Sequence, residues 1–165
     1  MTNQKYLTDT AIRAVLTECL GLQSFSARRC PKIKGLGFAM VDDSGLKIEK
    51  YAKIKFLTLS GCDSLKDHSL QLIGKYFGKD LETLNVSACK LLTGKGLGKI
   101  AKYCSSVVSV DVGGTKITCA TVLSFLKKCS GTLRSLNIGR GAEIDDGWIA
   151  DVMGRDTHDC LIYRR

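Results

Sequence analysis

Leu81-Glu82-Thr83-Leu84-Asn85-Val86-Ser87-Ala88-Cys89 decides the fold. It reads L-x-x-L-x-L-x-x-C. Leu84 and Val86 stand two apart and share one face of an extended chain, while Asn85 points the other way. The same spacing recurs. Ile54, Leu57, Leu59 and Cys62 form one copy, and Leu22, Phe25, Ala27 and Cys30 another. Val107, Val110, Val112 and Thr115 repeat it with threonine in the cysteine position, and Leu133, Leu136, Ile138 and Gly141 with glycine. The copies begin at residues 22, 54, 81, 107 and 133, so the last three steps are 27, 26 and 26 residues. A fixed period of this size marks a solenoid, whose units bury their apolar faces only by stacking on one another.

Each strand pattern is followed by a turn and then by apolar residues at helical spacing. Leu92 and Leu97 lead to Ile100 and Ala101, Leu65 and Leu70 to Ile73, and Ile144 and Ile149 to Val152. Leu7-Thr8-Asp9-Thr10-Ala11-Ile12, followed by Val15 and Leu16, is the helical half without a strand before it. Asp, Ser or Thr near these starts suits N-capping. The expected fold class is α/β, a right-handed βα solenoid. Its shape is a short horseshoe of about five strands, with a parallel concave sheet and helices outside. Residues 1–165 read as one domain. A capping helix is expected at about 8–20. A C-terminal cap is expected at about 155–165, with a final strand near Cys160-Leu161-Ile162-Tyr163.

These residues resemble the cysteine-containing leucine-rich repeat, roughly L-x-x-L-x-L-x-x-C-x-x-L/I-T-D-x-G-L-x-x-L-A-x-x-C. Leu81 to Cys104 matches best, through Cys89, Leu92, Thr93, Gly96, Leu97, Ile100, Ala101 and Cys104. The resemblance extends over most of residues 7–152 and implies a protein-recognition role. The family is known from F-box/LRR substrate receptors of ubiquitin ligases, Amn-type regulators, axonemal regulatory subunits and the mitochondrial ATP synthase subunit s. No F-box-like helices precede the repeats, so the chain reads as a small stand-alone protein or part of a longer one.

Hydrophobic residues make up 44% of the chain, and no apolar run approaches the ~20 residues that cross a bilayer. Met1 to Tyr6 shows no secretory signal pattern. Cys30, Cys62 and Cys89 share the turn position, and Cys19, Cys104 and Cys129 precede the next strand. That register predicts small buried groups with weak S–H donors, kept reduced in the cytoplasm, the nucleus or the mitochondrion. Cys119 and Cys160 fall outside these columns and are the expected exposed thiols.

The net charge is +9, and the lysines concentrate in the helical halves, as at Lys75, Lys79, Lys95, Lys99, Lys102, Lys127 and Lys128. Two readings stand: a solvated helical face, or a surface for an acidic protein, an anionic membrane or nucleic acid. The step from 22 to 54 carries about six surplus residues, within Gly35 to Lys50, which form either a functional surface loop or a plain excursion. Gly113-Gly114 is expected to allow positive φ or a close backbone approach.

His68 reads as an exposed neighbour of a helix start, and His158 lies beside Asp156 and Asp159 without a nucleophile elbow. Gly94-Lys95-Gly96-Leu97-Gly98-Lys99 lacks phosphate-loop spacing. No C-x-x-C pair suggests zinc, and the paired aspartates lack calcium-loop spacing. The expectation is a non-enzyme without metal or cofactor. It would bind protein partners through Ser26, Arg28, Lys55, Thr58, Ser60, Glu82, Asn85, Ser87, Asp111, Arg134, Asn137 and Arg140, with Gln23, Ser24 and Phe56 beside them. The expected role is an adaptor, or a small subunit or assembly factor of a larger complex. The alternatives are the substrate-recognition part of a ubiquitin ligase and nucleic-acid or anionic-surface binding through the lysine-rich helices.

Overall fold

A computed structural model of the chain describes residues 2–129, 131–139, 146–153 and 160–163. Each three-residue strand places one apolar side chain inward between two outward neighbours. The strands are β1 (Ser24–Ser26), β2 (Phe56–Thr58), β3 (Thr83–Asn85), β4 (Ser109–Asp111), β5 (Ser135–Asn137) and β6 (Leu161–Tyr163). They pair in parallel and in chain order, which places Phe25, Leu57, Leu84, Val110, Leu136 and Ile162 in one register row. All six are buried. The expected final strand is therefore present as β6, bringing the described strands to six.

The helices are α1 (Asp9–Glu18), α2 (Asp67–Phe77), α3 (Gly94–Tyr103), α4 (Cys119–Cys129) and α5 (Asp146–Met153). α2 packs on α3, and α3 on α4. Strands repeat every ~4.8 Å and packed helices every ~8–10 Å, so the sheet lies on the inside of the bend. Each strand returns to a parallel neighbour through a crossover, the connection that is right-handed in nearly all known cases. The result is a leucine-rich-repeat-like βα solenoid whose buried cluster runs from Ile12 to Ile162.

Two carboxylates tie one unit to the next. Asp67, at the start of α2, accepts from the Thr93 amide (2.8 Å) and hydroxyl (2.7 Å) ahead of α3. Asp9, at the start of α1, accepts from the amides of Lys34, Gly35 and Gly37. Thr8 caps α1 and Thr93 caps α3, as expected. At α2 the cap position is Lys66 instead, and its amide donates to Ser69 Oγ. Asp67 is turned away to the neighbouring unit, so it does not cap its own helix.

The turn cysteines hydrogen-bond as the register predicts. Cys62 Sγ donates to the Ala27 carbonyl and Cys89 Sγ to the Leu59 carbonyl, each one rung back. Cys30 donates to Arg28, and Thr115 donates within its own turn to Val112 (2.6 Å). Burial pushes the thiols of Cys62 and Cys129 up to about 11, and those of Cys89 and Cys104 up to about 12.

Two exposure expectations need correction. Cys160 is buried, because it enters β6 next to Cys129 and continues the column of pre-strand thiols. Cys19 is exposed, at the C-terminal end of α1. Cys119 is half-buried.

The surplus residues of the first full unit lie where the sequence places them. A short 3-10 turn, Leu36–Phe38, replaces the regular helix, and Phe38 packs edge-on between Phe25 (6.3 Å) and Phe77 (6.1 Å). A tight turn follows. The Asp42 carboxylate accepts from Ser44 Oγ and from the Ser44 and Leu46 amides, which holds it below its ordinary range. Arg13 clips this turn to α1 through the Val41 carbonyl and Asp43. At the other end Gly114 takes φ +72°, and Gly113 lies against Gly139, the close approach expected of the glycine pair.

Candidate functional site

The outward strand residues form rows, because parallel register places equivalent positions side by side. Ser26, Thr58, Asn85, Asp111 and Asn137 are neighbours in one row, which Tyr163 completes. The row before the strands contains Gln23, Lys55, Glu82, Val108 and Arg134, joined rung to rung through backbone hydrogen bonds. Arg28, Ser60 and Ser87 follow the strands. The structure therefore brings eleven of the twelve expected residues onto the strand side, and Arg140 lies outside the described residues.

Three of them are occupied in holding the backbone. Asn85 Oδ1 accepts from the Ser87 amide, Asp111 Oδ1 from the Gly113 amide, and Asn137 Oδ1 from the Gly139 amide, each at 3.0 Å. A side chain bonding two residues ahead closes an Asx turn and ends the strand. Asn85 also donates to Asp111 (3.2 Å), and Ser87 Oγ bridges Asn85 and Ser60. This column is therefore a structural ladder as much as a recognition surface. Asn137 departs from the expectation that the row faces solvent, being only 6% exposed. Its register neighbour is the large Tyr163, and its amide oxygen is turned inward to Gly139.

Lys55 and Glu82 form an exposed ion pair at 2.9 Å, and the Glu82 hydrogen bond raises the Lys55 ammonium above its ordinary range. Exposed charges of both signs give such a face specificity more than affinity.

Sequence reasoning missed the outward residues that open each strand: Thr83, Ser109 and Ser135, in register with Ser24, Phe56 and Leu161. Alternation alone identifies them, since each stands one residue before the inward apolar side chain. Unlike Asn85 and Asp111, they close no Asx turn. Phe56, Val108 and Leu161 are the large apolar side chains exposed on this side, at 44%, 40% and 58%. Apolar anchors amid polar neighbours suit the binding of a protein surface.

Among the described residues no group of three or more His, Cys, Asp or Glu side chains is arranged to hold a metal ion. No described helix is long and apolar enough to cross a membrane. His68 is exposed at the start of α2, as expected, and His158 lies outside the described residues.

No family model matches the chain. Its architecture is similar to that of a chain in the crystal structure of the Rad7 and Elc1 complex in yeast, with a TM-score of 0.63 and 17% sequence identity. The match covers 99% of this chain and 39% of that one, so this chain spans about two fifths of its neighbour's length. At this identity the shared property is the fold, a leucine-rich-repeat-like solenoid.

Proposed function

We propose that this chain is a non-catalytic protein-recognition module that docks a partner on its strand face. The observation that carries the reading is the register. Outward side chains from six strands share one continuous surface, and three apolar residues stand exposed among short polar ones. Solenoids with this construction of rows offer extended binding surfaces. The structural neighbour belongs to a complex of two proteins, which is consistent with a partner-binding role. Within this class the chain is an adaptor, or a small subunit or assembly factor of a larger complex. The buried thiols suit a reducing compartment. Substrate recognition in a ubiquitin ligase is a narrower form of the same proposal, and it rests on the repeat resemblance.

The test is affinity capture from native extract followed by mass spectrometry. Thr83→Arg with Ser109→Arg places two cations in the middle of the face without removing an Asx turn. Asn85→Arg with Asp111→Arg is the poorer probe, because it also breaks the ladder. Loss of a defined partner set with the first pair, at unchanged thermal midpoint, is the expected result. Retention of every partner overturns the reading.

A second reading, anionic-surface binding through the helices, is supported by the exposed Lys75, Lys95, Lys127 and Lys128. It predicts steep loss of DNA or anionic-vesicle binding between low and moderate salt.

A further inference from the structure

The surplus residues of the first full unit open a groove of about 920 Å³ on the side where helices run into strands. In the regular units, helix packs on helix, α2 on α3 and α3 on α4. Here a 3-10 turn stands in place of a helix, and the chain from Val41 to Lys53 runs as a wall facing the end of α2. The wall is held in position. The Ala52 amide donates to the Leu16 carbonyl (2.7 Å), Ile48 to Met40, and the Tyr51 hydroxyl to the Tyr76 carbonyl (3.2 Å).

Charge in the groove is one-sided. Lys47, Lys50 and Lys53 line one wall, and Lys75 and Lys79 the other, against two acids, Glu49 and Asp80. Glu49 is engaged by Lys47 at 3.2 Å. Among the described residues Lys50, Lys53, Lys75 and Lys79 make no ion pair. Lys75 and Lys79 stand four apart, on one side of the helix and its C-terminal extension. Five lysines against two acids leave the groove a net charge of +3, which favours an anionic ligand. The floor is apolar and aromatic: Leu20, Leu22 and Val41 with Tyr51 and Tyr76.

We propose that this groove binds an acidic segment of a partner protein, an extended stretch in which aspartate or glutamate alternates with apolar side chains. The lysines on both walls pair with its carboxylates, and the apolar floor takes its hydrophobic residues. Other anions fit less well. Single-stranded nucleic acid is held by stacking on free aromatic faces. Here Tyr51 is engaged edge-on with Tyr76 (6.4 Å) and Phe77 (5.6 Å), and Lys75 already covers the Tyr76 ring. A bilayer presents a broad, nearly flat surface, and these lysines rim a recess. The groove borders the strand face at Gln23, but its five lysines lie outside that face.

The test uses fluorescence anisotropy with a labelled peptide of about ten residues, alternating glutamate and leucine, and the full chain. Lys75→Glu with Lys79→Glu is compared with Lys127→Glu with Lys128→Glu, which makes the same charge change on α4 outside the groove. Circular dichroism checks that both variants fold. The proposal expects saturable binding that weakens about tenfold or more in the first variant and less than about twofold in the second. It also expects Leu20→Ser to weaken the leucine-bearing peptide but not a polyglutamate of equal length. Equal weakening by both lysine pairs overturns the proposal, as does the absence of saturable peptide binding. Tighter binding of an oligonucleotide or of phosphatidylserine vesicles than of the peptide overturns it too. Thr83→Arg with Ser109→Arg leaves peptide affinity unchanged, so failure of the groove and failure of the strand face are read separately.

Discussion

The units between Ile54 and Cys129 and the unit between Leu22 and Lys53 begin with the same strand pattern and end differently. In the regular units the turn is followed by an amphipathic helix, and α2, α3 and α4 pack side by side in the outer layer. In the first, Pro31 follows Cys30, the helix shrinks to three residues, and the rest becomes a wall clipped to α1. Burying an inward Leu, Val or Phe therefore requires the strand and its neighbours, whereas the outer layer can be filled in more than one way. Where helices fill it they pack on one another, and where a loop fills it a lysine-lined groove lies beside the end of α2.

The largest expected effect separates the two regions by pH. The raised thiols of Cys89 and Cys104 belong to the regular units. A group whose folded pKa lies above its unfolded value stabilises fully below the unfolded value and loses that contribution as pH rises. The loss for these two runs from about pH 9 toward 12. Each withdraws up to about 1.4 kcal/mol per pH unit in that window. Urea midpoints measured at pH 7, 9 and 10.5 are expected to fall slightly over the first interval and steeply over the last. Replacing both residues with alanine should reduce the slope, with Cys62 and Cys129 carrying part of the remainder, and an unchanged slope would show that other groups govern alkaline unfolding.

Phe38→Ala tests whether the first unit is locked to the rest. Phe38 is fully buried between Phe25 and Phe77, so its truncation is expected to cost about 4 kcal/mol in chemical denaturation. A loss below about 1 kcal/mol would mean that the first unit opens independently of the coil.

The inter-unit carboxylates come next. Asp67→Ala and Asp9→Ala are each expected to cost about 1.5–3 kcal/mol, since both remove charge-assisted bonds to the next unit. A much smaller loss at Asp9 would show that the irregular unit relies on Phe38 instead.

Ala88 sits at φ +58° in a turn whose equivalents in the neighbouring units are Gly61 and Gly114. Ala88→Gly is expected to raise stability by about 0.5–1 kcal/mol, the strain relieved exceeding the entropy glycine adds to the unfolded chain. A lower thermal midpoint would refute the strain argument. The smallest effect belongs to Asp43→Ala. The Arg13–Asp43 pair closes at 2.7 Å, but Asp43 is 94% exposed, so a change under about 0.5 kcal/mol is expected.

Much of this was legible in the chain. The inward row Leu57, Leu84, Val110 and Leu136 followed from spacing alone, and so did the short strand at Leu161–Tyr163, one period beyond Leu133. The partner-facing row was only half legible. Alternation names Asn85 and Asp111 as outward, yet it does not reveal that their oxygens are spent on the Ser87 and Gly113 amides. The exposure of Cys19 and the burial of Cys160 were also misread. The second depends on what lies in the adjacent unit rather than on local register.

The amino-acid order by itself determined the period, the inward face, the burial of the turn cysteines Cys30, Cys62 and Cys89, and the place of the surplus residues. Each follows from the two-residue repeat of a strand and the need of every unit to hide its leucines against the next. Only the tertiary structure decided that Asp67 and Asp9 serve the following unit, that Asn137 is buried, and that five lysines from two distant segments face one groove. These are contacts between residues remote in sequence, and no local pattern records which side chains the stacking of units brings together.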